Sequence, residues 1–205
     1  MTIQEKNSSH RIPARKRSAP QYRQLQALQI ENRRLRRLVI TDELTGIFNR
    51  RYFTGRLQEA LQAHQRGNGV ALCLFDLDNF KTVNDSLGHA AGDRLLQAVA
   101  RTVETQLRRT DDCVCRIGGD EFATIFSANS PDKALEQAKR LLDSIRNVQV
   151  QGIKRISATF GLIWLPPGAS QDWQQAYASA DSVLCRAKQK GKGGIMIHDA
   201  PLLPA

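Results

Sequence analysis

Arg116-Ile117-Gly118-Gly119-Asp120-Glu121-Phe122 places two acidic residues at a tight turn between two strand-like runs. The flanking segments, 113–117 and 121–127, are rich in apolar and β-branched residues, which predicts an antiparallel hairpin. The Gly-Gly pair permits positive φ and lets a ligand approach the bare backbone. Acids held at such a turn suit a metal ion or a proton acceptor. The alternative is a plain hairpin turn, which such a sequence forms more often than a site.

A second acidic pair, Asp76 and Asp78, ends the apolar run that starts at Val70. A continuous apolar run predicts a strand buried on both faces, and the two-residue spacing directs both carboxylates to one side. Hard cations such as Mg²⁺ take oxygen ligands and need few protein carboxylates when substrate phosphates supply the rest. The alternative is a strand end with solvated acids.

Segments 79–85 and 88–93 follow this strand, and the second of them opens a helix. Helix N-termini and lysines are natural neighbours of phosphate groups. An amide and a carboxylate in these segments suit the edge of a nucleotide base. The pattern therefore indicates a nucleotide site beside the two acidic pairs.

The remaining pattern predicts an α/β fold in which helices cover a central sheet. Helices are predicted at 50–66, 90–108, 132–147 and 173–190. Strands are predicted at 70–76, 113–117, 121–127, 156–164 and 195–198.

The positive charge of the chain lies mostly in its N-terminal part. The 205 residues carry a formal net charge of +10, and residues 1–40 hold ten Lys/Arg against two Asp/Glu. Residues 41–205 are nearly balanced, with twenty Lys/Arg and eighteen Asp/Glu. Nucleic-acid binding by the globular part is therefore not expected, and binding through the basic arm remains an alternative.

The N-terminal extension divides into a polar tail and a helical segment. Residues 1–20 have the composition of a disordered basic tail, and residues 21–40 have a helical pattern. Its heptad positions a are Leu25, Asn32 and Val39, and its positions d are Leu28 and Leu35. This pattern predicts a short dimerising coiled coil; the alternative is a stripe that docks on the domain.

The cysteines and the hydropathy indicate a reducing, aqueous environment. Cys73, Cys113, Cys115 and Cys185 form no Cys-x-x-Cys pair, and we expect reduced, mostly packed thiols rather than zinc ligands or disulfides. No apolar segment is long enough to span a bilayer, and residues 1–20 are too polar for a secretory signal. We expect a cytoplasmic protein.

Three segments together resemble the GGDEF-domain diguanylate cyclases: Asp42–Arg51, Asp76–Asp93 and Gly118–Phe122. The resemblance runs from about Asp42 to His198 in family order and spacing. It implies a catalytic domain over residues 41–200, followed by a tail at 201–205. The implied fold is a mostly antiparallel sheet flanked by helices, related to the palm of nucleotide cyclases and polymerases.

The family joins two GTP molecules into cyclic di-GMP and releases two pyrophosphates, with Mg²⁺, or alternatively Mn²⁺, as cofactor. The resemblance assigns the metal to Asp76, Asp120 and the backbone carbonyl of Leu77. It makes Asp120 the proton acceptor, and Glu121 shares metal or base duty in a way that the sequence does not divide.

The resemblance also assigns the substrate contacts. It assigns recognition of guanine to Asn84 and Asp93, with His89 nearby. It assigns contacts with the phosphates to Lys81, Lys188 and Lys192. For Lys188 and Lys192 the alternative is an ordinary basic helix C-terminus, which the helix dipole favours. The chain departs from the family at Cys185, where tyrosine is common, and at Lys192-Gly193-Gly194. Both departures concern packing or phosphate binding rather than the type of reaction.

A regulatory site and an assembly are implied as well. Arg109 and Asp112 stand at the spacing of the family's inhibitory product-binding site, and Arg140 matches its secondary contact. Because each domain holds one GTP, catalysis requires a homodimer. The alternative function is a non-catalytic receptor that binds cyclic di-GMP through Arg109 and Asp112.

Overall fold

The computed structural model describes residues 23–24, 26–28, 30–31, 39–63, 69–107, 109–169 and 172–198. The chain forms two compact units, Met1–Arg37 and Leu38–Ala205. The described residues of the first unit are helical, and its Leu28 and Ile30 side chains are exposed. The predicted tails at 1–20 and 201–205 and the heptad residues Leu25, Asn32 and Leu35 lie outside the described residues.

The second unit contains six strands and five helices among its described residues. The strands are β1 (Phe48–Asn49), β2 (Gly69–Leu77), β3 (Cys113–Gly118), β4 (Glu121–Ala128), β5 (Ala158–Leu165) and β6 (Ile195–His198). The helices are α1 (Arg50–Ala63), α2 (Phe80–Leu87), α3 (His89–Gln106), α4 (Pro131–Arg146) and α5 (Trp173–Lys190). Each helix and strand predicted between residues 41 and 198 has a counterpart among the described residues.

The strands form one sheet in the order β1-β3-β4-β2-β5-β6. Strand β2 lies at its centre and pairs antiparallel with both β4 and β5, and β3 pairs antiparallel with β4. The edge strands β1 and β6 are added in parallel. The predicted fold class, a mostly antiparallel sheet flanked by helices, is confirmed.

Strand β2 is buried on both faces because alternate side chains enter two different cores. One core lies between the sheet and helices α3 and α4, and it takes Ala71, Cys73, Phe75 and Leu77. The other lies between the sheet and helices α1 and α5, and it takes Val70, Leu72 and Leu74. Asp76 continues the second series, so the strand delivers its carboxylate on the side of α5.

Three stacked phenylalanines hold the centre of the sheet directly beside Asp76. The ring of Phe75 lies 5.2 Å from Phe122 on β4 and 4.6 Å from Phe160 on β5, with interplanar angles of 6°. Such aromatic pairs contribute about 0.5–1.5 kcal/mol beyond their buried area. The three central strands therefore meet rigidly where the acidic residues begin.

Two elements were not predicted, helix α2 and strand β1. Helix α2 contains Thr82, Asn84, Asp85 and Ser86, which have modest helix propensity. It forms because Phe80 and Val83 pack against the core behind it. Strand β1 has only two residues, too few to carry an alternating pattern.

The described cysteines are all free thiols, with Cys73, Cys113 and Cys115 buried and Cys185 exposed. Burial raises the pKa of the Cys73 thiol, as expected for a packed, unreactive cysteine. Among the described residues, no helix combines the length and apolar character needed to cross a membrane.

The close packing of α5 against β5 predicts that a methyl group added at Gly161 destabilises the fold. A Cβ atom at Gly161 would lie 2.6 Å from Leu184 Cα and 2.7 Å from Ala180 O. We expect Gly161→Ala to reduce the free energy of unfolding by about 1–3 kcal/mol, because helix α5 must move away from the sheet. Chemical denaturation measures the change.

The matched control is Gly55→Ala in helix α1, where an added Cβ meets no atom within 4 Å. That variant should gain about 0.5–1 kcal/mol from helix propensity. A loss no larger in Gly161→Ala than in this control would refute the close packing.

Candidate active site

The pairing of β2 with β4 brings three carboxylates together at one end of the sheet. Asp76 on β2 is the register partner of Glu121 on β4. Leu77 N donates a hydrogen bond of 3.3 Å to Asp120 O in the adjoining turn. Gly119, with a φ of 52°, makes that turn possible. The sheet therefore places the predicted metal ligands Asp76, Leu77 and Asp120 side by side, with Glu121 next to them.

Lys188, from the last turn of α5, supplies the positive charge facing this group. Its ammonium donates a short hydrogen bond to Asp76 Oδ2 and forms a salt bridge with that carboxylate. The two residues are 112 positions apart in the chain. Lys188 therefore lies beside the carboxylates, where its partner is Asp76, and its contact with phosphate stays a prediction.

The electrostatics of the site reflect an excess of negative charge. Desolvation raises the pKa of Asp120 and of Glu121, and the negative charge of Asp76 raises both further. Burial acts to lower the pKa of Lys188, but the hydrogen bond and charge of Asp76 outweigh it, so this pKa is raised. One ammonium does not neutralise three carboxylates, and an additional cation is favoured there.

The donor atoms fit a hard divalent cation. Asp76 Oδ1 is buried and has no hydrogen-bond partner among the described residues. Together with Asp120 and the Leu77 carbonyl it offers only oxygen ligands, which Mg²⁺ prefers. The described residues contain no group of three or more His, Cys, Asp or Glu side chains arranged to hold a metal alone. Mg²⁺ commonly takes further ligands from water and substrate phosphates.

Arg116 anchors the acidic turn, a role that the sequence did not reveal. Its Nε donates to Gly119 O at 2.9 Å, and its Nη1 lies 3.0 Å from Asp42 Oδ1. Asp42 Oδ1 also accepts hydrogen bonds from the backbone N and the hydroxyl of Thr45. Burial opposes the ionisation of Asp42, but the hydrogen bonds from Thr45 and Arg116 outweigh it and lower its pKa. The segment at 42–45 therefore holds Arg116 in place, and Arg116 in turn holds the acidic turn.

Helices α2 and α3 form a corner that carries the predicted guanine contacts. Asn84 on α2 lies against Gly92 on α3, where a Cβ atom would overlap its Oδ1. Asn84 Oδ1 is buried without a hydrogen-bond partner in the described part of the chain. His89 and Asp93 are exposed in the first turns of α3, and Lys81 is exposed in the first turn of α2. Gly92 thus creates the space that the side-chain oxygen of Asn84 occupies.

Lys192 lies after α5 and reaches the loop between β2 and α2. Its Nζ donates to Asn79 Oδ1 at 2.9 Å. Asn79 adopts a left-handed conformation, with a φ of 59°. Asp78 does not join the carboxylate group, because its Oδ1 accepts a 2.6 Å hydrogen bond from Thr159. The second acid of the strand end is therefore a structural residue of this loop.

The predicted product-binding residues line a cavity of about 600 Å³. Arg109 Nη1 donates to Ser127 O at 3.0 Å, and Asp112 Oδ1 accepts from Ser127 N at 3.3 Å. Arg140 faces them from α4, where it forms a salt bridge with Glu136. Burial raises the pKa of Asp112, and the hydrogen bond from Ser127 N acts against that rise. The structure brings Arg109, Asp112 and Arg140 to one site.

Known proteins resemble this chain in both sequence and fold. The sequence profile described as "Diguanylate cyclase, GGDEF domain" matches residues 39–194. The bifunctional diguanylate cyclase/cyclic di-GMP phosphodiesterase MucR of Pseudomonas aeruginosa is 36% identical over 174 residues, covering 83% of this chain and 25% of MucR. The chain therefore spans about a quarter of the length of that relative.

Two solved structures resemble the fold closely. Diguanylate cyclase SiaD of Pseudomonas aeruginosa, solved with its activator SiaC, gives a TM-score of 0.74 at 32% identity, covering 87% of this chain and 69% of that one. A microbial GGDEF domain, described in a novel interaction mode with cyclic di-GMP, gives a TM-score of 0.71 at 29% identity, covering 80% and 99%. Both likenesses extend over most of this chain.

The Asn84–Gly92 contact predicts a coupled pair of substitutions. In Gly92→Ala the new Cβ atom would overlap Asn84 Oδ1 and stand 3.1 Å from Phe80 Cζ. We expect a lower Tm even though alanine is favoured over glycine in a helix by about 1 kcal/mol. In the Asn84→Ala background the same substitution should cost less than half as much, because the main clash is gone.

Thermal unfolding of the four proteins of this double-mutant cycle measures the coupling. Equal losses of stability in the two backgrounds would show that the Asn84 amide does not occupy the space above Gly92.

Proposed function

Because the chain belongs to the GGDEF-domain family of diguanylate cyclases, we propose that it condenses two GTP molecules into cyclic di-GMP. In each half-reaction the 3′-hydroxyl of one GTP loses its proton and attacks the α-phosphorus of the other. The bond from the α-phosphorus to the bridging oxygen breaks, and pyrophosphate leaves. The observation that supports this best is the convergence of Asp76, Asp120 and Lys188 at the end of β2.

Asp76, Asp120 and the Leu77 carbonyl would hold Mg²⁺, with Mn²⁺ as an alternative. A bound divalent cation supplies stabilisation of the charge that builds on the nucleophile and the leaving oxygen. The raised pKa of Asp120 suits a carboxylate that accepts the proton of the 3′-hydroxyl. Glu121, with a raised pKa beside it, shares this duty or the metal.

The proposed substrate contacts are those that the resemblance to the family assigns. Asn84 and Asp93 would read guanine, because a carboxylate accepts from the N1–H and amino groups that adenine lacks in this arrangement. His89 stands one helical turn before Asp93. Lys81, Lys188 and Lys192 would contact the phosphates, and Lys188 would exchange its bond with Asp76 for one to phosphate as the cation binds.

Two domains must face each other, because each would present a single GTP. The heptad pattern of residues 21–40 supports a short coiled coil that tethers two catalytic domains over residues 41–200. A tether raises the effective concentration of one domain near the other without adding a contact at the active site. The protein would act as a homodimer in the cytoplasm.

Cyclic di-GMP would inhibit its own synthesis from the cavity at Arg109. A guanidinium fork suits guanine or phosphate acceptors, and the Asp112 carboxylate suits the donors of guanine. The relative solved with cyclic di-GMP supports this proposal, since a domain of the same fold binds that nucleotide.

The metal role of Asp120 predicts loss of synthesis without loss of fold. We expect Asp120→Asn to reduce cyclic di-GMP formation by at least about 100-fold, because even the outer partners of metal ligands cost about 10–100-fold in affinity or activity when removed. Its Tm without metal should stay equal or rise, since one of three mutually repelling carboxylates is neutralised.

Mass spectrometry of the nucleotide products and thermal unfolding provide the two measurements. The exposed Asp132→Asn on α4 serves as the control and should keep full activity. Undiminished synthesis by Asp120→Asn would remove the assignment, and cyclic di-GMP binding without any synthesis by the unmodified chain would favour a receptor instead.

The product cavity predicts a separable regulatory defect. We expect Arg109→Ala to weaken inhibition by added cyclic di-GMP by at least about tenfold, because charge-assisted bonds to the nucleotide are lost. The initial rate without product should stay close to that of the unmodified protein. Rates at increasing cyclic di-GMP measure both values, with the exposed Arg101→Ala on α3 as control. Identical inhibition curves for the two variants would disprove the regulatory site.

A further inference from the structure

Helices α1 and α5, which cover the same face of the sheet, meet through a pair of aromatic rings. The rings of Phe53 on α1 and Tyr177 on α5 make an edge contact, with their centroids 5.8 Å apart. Arg50 stands one helical turn before Phe53, and Asp181 stands one helical turn after Tyr177. The two helices therefore bring an exposed cation and an exposed anion close to the same ring contact.

Strand pairing places this group at the end of the sheet that carries the acidic turn. Strands β1 and β3 are parallel, with Asn49 as the register partner of Arg116, so Arg50 follows β1 where β3 enters the turn. On α5, Asp181 shares a helix face with Lys188, about two turns further along. Because the Lys188 ammonium binds a carboxylate of the active site, this face of α5 borders the site.

The charges of these residues act on one another. Burial and the charge of Asp76 raise the pKa of Glu121, and the charge of Asp181 raises it further. Burial also raises the pKa of the Tyr177 hydroxyl; Arg50 acts against that rise, while Glu121 and Asp181 add to it. All three charged groups therefore lie within electrostatic reach of the Tyr177 hydroxyl.

The two outer charges of this group are free among the described residues. The Arg50 guanidinium and the Asp181 carboxylate are exposed, and neither forms a hydrogen bond or an ion pair with another described residue. A guanidinium carries five N–H donors, and a carboxylate only accepts. Both groups are therefore available to a second molecule, and their charges are opposite.

We propose that Arg50 pairs with Asp181 of the partner subunit in the dimer that synthesises cyclic di-GMP, so that two identical salt bridges flank the facing active sites. The inference rests on the proposed function, which requires two domains to face each other at their acidic turns. In a twofold interface, a residue that contacts a second residue across the axis has the same contact returned. One free cation and one free anion beside the same turn satisfy this condition.

The pairing also supplies an attraction that the facing arrangement needs. Each active site carries three carboxylates and one paired ammonium, so two facing sites repel each other before cations bind. Exposed salt bridges contribute little to affinity, but complementary charges select one orientation of approach and disfavour others. The Arg50–Asp181 pair would therefore set how the domains face, while the tether sets how often they meet.

Charge reversal tests the pairing through synthesis of cyclic di-GMP by the full chain. Arg50→Asp and Asp181→Arg should each lower the rate by about tenfold, because like charges then meet in both pairs. The double variant restores opposite charges and should recover at least about half of the original rate. Arg101→Asp and Glu104→Arg are the matched controls, exposed on α3 at the other face of the sheet, and should keep the rate.

A mixed dimer of the two single variants distinguishes pairing between subunits from pairing within one domain. The variants are co-expressed with different affinity tags, and the dimer is isolated through both tags. In it each reversed charge meets the other reversed charge, and each original charge meets the other original charge. Its rate should therefore return to at least about half of the original. A mixed dimer no more active than its components would overturn the proposal, as would unchanged rates in both single variants.

Spin-label distances test the same arrangement without turnover. Cys185 is exposed on α5, and the other three cysteines are buried, so a nitroxide label attaches selectively to Cys185. With Mg²⁺ and a non-hydrolysable GTP analogue, the two labels of the unmodified dimer should give one narrow distance distribution. Arg50→Asp should broaden it, and the double variant should restore it. Equal widths in all three proteins would contradict the proposal.

These two measurements separate failure of this inference from failure of the proposed function. A chain that makes no cyclic di-GMP, but whose label distances depend on Arg50 and Asp181, would refute the cyclase assignment and support the interface. A chain that makes cyclic di-GMP at the same rate with either charge reversed would do the reverse.

Discussion

The site depends on one electrostatic constraint, the enforced proximity of like charges at the end of β2. Backbone pairing of β2 with β4, backed by the stacked rings of Phe75 and its two neighbours, keeps the carboxylates of Asp76, Asp120 and Glu121 together. Desolvation and mutual repulsion raise the pKa of Asp120 and Glu121. Lys188 offsets only part of that charge. Because the sheet holds these carboxylates in place, only a proton or a cation relieves their repulsion, and the repulsion favours the binding of a cation.

Local patterns predicted the parts of the structure that are determined locally. The apolar run before Asp76 specified a strand buried on both faces, since side chains at alternate positions enter two different cores. The Gly-Gly pair specified the hairpin, although only Gly119 of that pair takes a positive φ. Helix α2 escaped prediction because its stability comes from Phe80 and Val83 packing on the core rather than from propensity.

Contacts between distant residues could not be predicted from pattern alone. Arg116 and Asp42 are 74 positions apart, and both belong to recognisable motifs, yet no local signal pairs them. The bond from Lys188 to Asp76 likewise arises from helix placement on the sheet. Period-two spacing suggested a common role for Asp76 and Asp78, but Thr159 engages Asp78 and separates their functions. Chain topology, not residue type, decides such pairings.

The account stands on the claim that Asp76 and Asp120 hold one divalent cation between them. The most direct measurement is the anomalous scattering of Mn²⁺ in crystals of the protein grown with a non-hydrolysable GTP analogue. We predict a manganese peak at coordination distance, roughly 2.0–2.2 Å, from an oxygen of Asp76 and an oxygen of Asp120. Manganese bound only to the nucleotide phosphates, with Lys188 still paired to Asp76, would contradict the account.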